Sequence, residues 1–323
     1  MTQLLTRRER GVYPISVTPF HDDGRVDLDS MDRLVDFFVA CGVPGVTVLG
    51  VLGEANKLSA DESAGLVRRV LQRAGGRLKV IVGASQSGFE PLHAFAAGAM
   101  DAGASGIMVA PGAGLKTEDQ ILGWFEGLFA RLGDTPVALQ DFPQTTGVFM
   151  SAATVGALVK RHAGICIVKH EEAPALRKIT KLRAQEAAGE RERVSILVGN
   201  SAMHLPQELL RGVDGANTGV AFPEMLIEVC ERFFAGRPDA GEDLYDLFLP
   251  LVRHEQQPGI GLAVRKEIFR RRGLIASARV RAPGAAMDRD DHAELTRLLA
   301  RLARRLDEAG EGALIRFNPV ASA

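Results

Sequence analysis

Cysteine is scarce in this chain of 323 residues. Its three, Cys41, Cys166 and Cys230, lie far apart and form no CxxC pair or metal-ligand spacing. That excludes a disulfide framework and a cysteine-based zinc site, and buried reduced thiols are expected. An excess of either charge is also missing: lysine plus arginine number 39 against 40 acids, a net charge of -1. No basic field is available to attract nucleic acid or an anionic membrane, so any partner must be recognised locally. No apolar run reaches the roughly 18 residues of a membrane span. The opening MTQLLTRRER lacks the apolar stretch of a secretory signal. A soluble, cytoplasmic protein is the expectation. There is no P-loop, no dinucleotide fingerprint and no His, Asp or Glu cluster at metal-ligand spacing, so neither cofactor nor metal is expected.

What is present is an ordinary globular composition, 46% hydrophobic and 24% charged, long enough for two domains or one large α/β domain. Short apolar, β-branched runs choose between these. They are YPISVTP from Tyr13, GVTVLG from Gly45, KVIVGAS from Lys79, GIMVAP from Gly106, VALQDFP from Val137, GICIVKHEE from Gly164, SILVGNS from Ser195 and ANTGVAFP from Ala216. Most are apolar on both alternating faces, as strands covered on both sides must be, and their spacing suits βα units. Between them lie helical patterns. Asp27 or Asp29 caps a first helix carrying Met31, Leu34, Val35 and Phe38 on one face and stopping at Gly42. Others are predicted over 59–74, 91–102, 117–132, 151–161 and 173–188. Strand and helix alternating with right-handed crossovers predict an α/β fold, a (β/α)₈ TIM barrel over residues 11–224. A C-terminal helical extension follows over 225–323, ending in a stripe of Leu295, Leu298, Leu299, Leu302 and Leu306 that should pack on the barrel or another subunit. The triplet Arg270 to Arg272 reads as a solvated helix end rather than a nucleic-acid patch.

Active sites of such barrels form at the carboxyl ends of the strands. Polar residues there are Thr18, the GVLGE turn from Gly50 to Glu54, Ser85, the PGAG turn from Pro111, Gln140, Asp141, Lys169, Glu171, Asn200, Ser201 and Thr218. Lys169 is distinctive because apolar residues precede it. A lysine inside a barrel is costly to desolvate unless neutral or paired, and a neutral lysine is the nucleophile that condenses with a ketone. A structural ion pair with Glu171 or Glu172 is the alternative. The two-residue period of a strand puts Lys169 and Glu171 on one face and His170 on the other, so His170 reads as a helix-packing or hydrogen-bonded histidine. Asn200, Ser201 and Thr218 are candidates for substrate hydroxyls or for turn and capping roles. Gly199, Gly215 and Gly219 would also suit the phosphate pocket of a phosphosugar isomerase.

The order TPF after strand one, GxxGE then LSADE after strand two, DFPxTTG on strand five, a lysine on strand six, and a glycine-rich strand eight ending in proline resembles the dihydrodipicolinate synthase and N-acetylneuraminate lyase family. The likeness runs from about residue 11 to 224. It implies a class I aldolase-like barrel, usually a homotetramer, that joins a small 2-keto acid to a lysine as an imine, and Lys169 stands at that lysine's position. Where the family usually has two threonines between the glycines, this chain has Val51 and Leu52; the turn's backbone amides remain available to a carboxylate. The strand-five tyrosine that relays protons in the family is matched by Gln140, which cannot ionise. Glu171 is then the natural proton carrier and Asp141 the second candidate. Thr145 stands for the synthases' arginine, and Gly112 and Ala113 for their paired tyrosines, which argues against dihydrodipicolinate synthesis.

GVLGEANKL, LQDFPQTTGV, VKHEE and TGVAFPEML resemble most the 2-keto-3-deoxy-L-arabonate dehydratase branch. That resemblance implies dehydration of a 2-keto-3-deoxy sugar acid with Lys169, Glu171 and Gln140 in the catalytic centre, and Val51, Leu52, Asp141, Asn200 and Thr218 around the substrate. Retro-aldol cleavage to pyruvate and an aldehyde, and a non-catalytic keto-acid-binding barrel, are the competing expectations.

Overall fold

A computed structural model describes residues 3–173 and 176–315. The described residues include eight parallel strands: β1 (Gly11–Pro14), β2 (Gly45–Val48), β3 (Lys79–Gly83), β4 (Gly106–Val109), β5 (Val137–Asp141), β6 (Ile165–His170), β7 (Ser195–Val198) and β8 (Gly215–Thr218). Their order is β1-β8-β7-β6-β5-β4-β3-β2. A parallel Ile15–Thr47 bridge, with Ser16 N–H donating to the Thr47 carbonyl at 2.8 Å, brings β1 to β2 and closes the ring. The fold is a (β/α)₈ TIM barrel. β1 begins two residues before the apolar run that signals it, because its ladder opens on the pair Gly11 and Gly215. Both have positive φ, +99° and +141°, and a Cβ on Gly215 would stand 2.0 Å from the Gly11 carbonyl oxygen. Only glycine permits that approach, and glycine carries no strand signal.

The outer layer is α1 (Leu28–Cys41), α2 (Ala60–Ala74), α3 (Phe89–Asp101), α4 (Glu118–Leu132), the short α5 (Pro143–Thr146), α6 (Ala152–Arg161), α7 (Leu176–Ala187), α8 (Leu205–Leu210) and α9 (Pro223–Phe234). Asp27 is the cap of α1, accepting from Ser30 N–H, and Gly42 ends that helix at φ 77°. Reciprocal capping boxes, Ser59 with Glu62 and Thr117 with Gln120, start α2 and α4. The predicted helix over 173–188 is α7; residues 174 and 175 lie outside the described residues.

The barrel's lower interior is filled by Leu5, Tyr13, Ile81, Met108, Ala138, Ile167 and Leu197, and the Tyr13 hydroxyl ends on Glu9, which Lys79 holds at 2.6 Å. This plug fills the barrel interior below the carboxyl ends of the strands. Cys166 and Cys230 are buried, and Cys41 is half-buried.

The boundary at residue 224 falls inside α9, which lies against β1 as the eighth barrel helix. Beyond it come α10 (Pro238–Glu255), α11 (Gly261–Arg271) and α12 (Arg289–Glu308). The leucine stripe of α12 packs against α10, with Leu295, Leu299, Leu302 and Leu306 buried. The arginine triplet is not a solvated end. Arg271 and Arg272 are buried; Arg271 pairs with Glu267 at 2.7 Å, and Arg272 pairs with Glu224 and stacks over Phe222 and Phe37. Of the three, Arg270 keeps most exposure, because the helix turns Arg271 toward α12, where it bonds Thr296 at 2.7 Å, and Arg272 toward α9 and the barrel. No helix among the described residues is long and apolar enough to cross a membrane.

One buried group in this shell sets a pH dependence. Glu208 Oε2 on α8 has no hydrogen-bond partner among the described residues, and burial pushes the carboxyl from 4.5 up to about 8. The folded state therefore binds the proton more tightly than the unfolded state. Its contribution to stability is complete below about pH 4.5 and is lost as pH rises through about 8. Glu208→Gln, which has no proton to lose, should gain stability over the parent progressively between pH 5 and 9 in urea titrations. Parallel stability curves for the two proteins would contradict this.

Candidate active site

β5 and β6 build the centre of the site. Their register pairs Gln140 with Lys169 and Asp141 with His170, so alternation sends Gln140 and Lys169 into the barrel and Asp141 and His170 out toward the helices. Glu171, just past the end of β6, faces inward beside Lys169. The Lys169 ammonium and a Glu171 carboxylate oxygen, Oε1, are in direct ion contact, and Gln140 Nε2 donates to the same oxygen at 3.2 Å. Lys169 and Glu171 are each only 5% exposed. Leaving either without the other would cost about 3–5 kcal/mol. Chemically, an amine in contact with a carboxylate has a proton acceptor within reach, and the same carboxylate can carry that proton to an atom bound to the amine.

Asp141 does not join them. It is fully buried outside the barrel, where its Oδ2 accepts from Lys178 of α7 at 2.6 Å and lies 3.1 Å from His170 Nδ1. Its side chain is therefore not presented to a ligand in the barrel mouth. His170 is hydrogen-bonded, in line with its outward face.

Above the pair lies a cavity of about 100 Å³. Gln140, Lys169 and Glu171 form its floor; Val51 and Leu52 stand on the β2 side, Thr218 on β8 and Asn200 on β7. Ser85 and the 111–114 turn are not among its lining residues. Within the GVLGE turn, Gly53 and Glu54 N–H groups are used internally, donating to the Gly50 and Val51 carbonyls at 3.0 Å. The Val51 and Leu52 amides have no acceptor among the described residues. Thr18 Oγ1 ties down the turn by donating to the Gly53 carbonyl at 2.6 Å. A Cβ on Gly219 would stand 2.1 Å from Leu52 Cδ1, and one on Gly199 would stand 2.2 Å from Glu171 Cγ. These two glycines make room for side chains that shape the cavity, which accounts for them without a phosphate.

The wall after β7 is strained. Asn200, Ser201 and Ala202 all have positive φ, 49°, 54° and 55°, a conformation costing non-glycine residues of order 1 kcal/mol or more each. Tertiary bonds hold it: Asn200 donates to the Glu171 carbonyl, Ser201 bonds Gln256 and Arg265, and Tyr245 donates to the Ala202 carbonyl at 2.8 Å.

Two lining residues, Gln256 and Arg265, come from the extension and were not anticipated from the sequence. Arg265 is 5% exposed and its Nε donates to Glu255 at 3.1 Å. Burial pushes the Glu255 carboxyl up to about 7, with the Arg265 charge working against that rise. Next to Arg265, the fully buried Lys266 bonds Glu54 of the turn at 2.5 Å, and burial pulls its ammonium down to about 8. A basic pair inside the apolar run IGLAVRKEIF was the available signal, the same kind that marks Lys169. No group of three or more His, Cys, Asp or Glu side chains suited to a metal ion occurs among the described residues.

Residues 8–302 match the family model described as the dihydrodipicolinate synthetase family. The chain is 32% identical over 316 residues to L-2-keto-3-deoxyarabonate dehydratase of Azospirillum brasilense, covering 95% of this chain and 97% of that protein. It is 43% identical to a crystal structure named dihydrodipicolinate synthase from Rhodopseudomonas palustris, with a TM-score of 0.91 over 93% of this chain and all of that one. It is also similar to the prophage protein YagE of E. coli K12, solved with pyruvate, at 26% identity and a TM-score of 0.83 over 91% of this chain and 98% of that one.

The crowding at Gly199 gives a direct check of the geometry. Gly199→Ala should force Glu171 away from Lys169, opening the ion contact beyond 4 Å in a crystal structure of the variant and costing about 1–3 kcal/mol in urea unfolding. An unmoved Glu171 would mean that the close approach has no structural consequence.

Proposed function

The chain belongs to the dihydrodipicolinate synthetase family of class I aldolase-like, Schiff-base-forming lyases, and from that premise we propose that it dehydrates a short 2-keto-3-deoxy sugar acid such as 2-keto-3-deoxy-L-arabonate. The observation that carries this reading is the direct contact of Lys169 and Glu171 on the inner face, with a non-ionising amide, Gln140, across the ladder from the lysine.

Lys169 Nζ, relieved of a proton by Glu171, attacks C2 of the keto acid, and loss of water gives the protonated imine. The substrate carboxylate is held by the Val51 and Leu52 amides, with Thr218 and Asn200 on either side of the chain. The iminium acidifies C3, whose proton passes to Glu171 and leaves an enamine. That enamine expels the C4 hydroxyl, which takes the proton back from Glu171 and departs as water. In a pentonate, moving a proton from C5 to C3 turns the remaining alkene into an enol. Ketonisation and hydrolysis of the imine then release a 2-oxo semialdehyde and restore Lys169. Retro-aldol cleavage would instead require a base on the C4 hydroxyl. Gln140 cannot take that proton, and Asp141 is turned away behind the sheet. The likeness to a dehydratase over nearly the whole of both chains supports the same choice.

The test is borohydride reduction with a 2-keto-3-deoxypentonate, followed by mass analysis of the peptide holding residue 169. The parent protein should carry the adduct and form the 2-oxo semialdehyde, and Lys169→Ala should do neither. Glu171→Gln should retain the adduct while dehydration falls roughly 10²–10⁴-fold. Absence of any adduct would leave only a keto-acid-binding barrel; pyruvate with glycolaldehyde as products would favour cleavage; unchanged turnover of Glu171→Gln would remove Glu171 as proton carrier.

A further inference from the structure

The extension places a guanidinium at the wall of the cavity, with two of its three nitrogens already hydrogen-bonded. Arg265 has five N–H groups in a planar fork. Nε donates to Glu255 Oε2 at 3.1 Å, and Nη2 donates to Ser201 Oγ and to Gln256 Oε1, the latter at 3.1 Å. Nη1 has no acceptor among the described residues. A carboxylate binds arginine best through two parallel N–H bonds from one edge of the fork. Neither edge is free here, because both edges include Nη2, which already donates to Ser201 and Gln256, and Glu255 holds Nε. Nη1 remains, a single nitrogen rather than an edge of the fork, suited to a single oxygen.

Ser201 supplies the complementary half. Its hydroxyl donates to Gln256 Oε1 and accepts from Arg265 Nη2, which leaves one lone pair on Oγ. An alcohol can therefore accept from Arg265 Nη1 and donate to Ser201 Oγ. A carboxylate has no proton for the serine, and it would also face the Glu255 carboxylate and the Gln256 carbonyl oxygen. The wall is pre-formed, since the left-handed turn at 200–202 fixes Ser201. It also adjoins the reacting centre, since the neighbouring Asn200 bonds the Glu171 carbonyl.

Resting on the 2-keto acid reading above, we infer that Arg265, Ser201 and Gln256 form a subsite for the far hydroxyl of the substrate, selecting a neutral hydroxylated tail against a second carboxylate. Lys169 then fixes C2, the β2 turn fixes the near carboxylate, and the β7 wall reads the other end.

The test compares kcat/KM for a 2-keto-3-deoxypentonate and its 5-deoxy counterpart, with 2-oxoglutarate as a competitor of the same chain length. The parent protein should prefer the hydroxylated acid by about tenfold or more, the value of one hydrogen bond to a charged donor, and 2-oxoglutarate should compete at least about tenfold more weakly than the pentonate's KM. Arg265→Lys, which keeps a cation beside Glu255, and Ser201→Ala should each drive the preference toward one, mainly through KM. A fall shared equally by both acids, with the ratio intact, would mean a purely structural role and would overturn the subsite, as would tight competition by 2-oxoglutarate. If the parent protein forms no borohydride-trapped adduct with either acid, the lyase reading itself fails and takes the subsite with it, an outcome distinct from a ratio that does not change.

Discussion

The site depends on an ion pair that the barrel holds nearly out of water. Lys169 and Glu171 are two residues apart on one edge of β6, and the pleat makes them neighbours. Desolvating either charge alone would be prohibitive; together, with Gln140 donating to the shared carboxylate oxygen, they are tolerated. The plug of Tyr13, Ile81, Met108 and Leu197 beneath them keeps solvent out from below. Gly199 and Gly219 remove the side chains that would otherwise occupy the same volume. Much of the local sequence around the barrel mouth is there to let this pair approach.

A second set of constraints ties the barrel to its C-terminal extension. α11 presents Arg265 to the cavity wall and, one residue on, Lys266 to Glu54 at the foot of the GVLGE turn. Glu54 itself sits at φ 54°, and its other oxygen accepts from Lys57 at 2.9 Å and from the Arg281 amide at 3.0 Å. Phe20 lies beneath both Lys266 and Arg281, each 4.4 Å from its ring centre. The turn and the β7 wall, on opposite sides of the cavity, are thus fixed by adjacent residues of one helix.

The parts of this arrangement that were legible in the sequence are those governed by short-range periodicity. Alternation along ICIVKHEE put Lys169 and Glu171 inward and His170 outward, and the apolar runs located every strand. The same alternation applied to VALQD would have separated Asp141 from Gln140, yet a carboxylate at a strand end drew the expectation of a substrate contact; its real partner, Lys178, lies 37 residues away. Arg271 could have been matched with Glu267 four residues earlier on its own helix, whereas Glu224, the partner of Arg272, is 48 residues distant. Arg265 meets Ser201 across 64 residues. Contacts of that kind arise from how the extension docks, and no local pattern encodes docking.

Lys169 and Arg265 reside on separately encoded stretches of the chain, so one can drift while the other stays fixed. On the function and subsite proposed above, exchanging the segment that carries α10 and α11 between homologues would make chimeras with the parent's covalent step and the donor's taste for tail length and polarity. Such grafting offers a route by which a common imine-forming scaffold diversifies its diet without rebuilding its reactive centre.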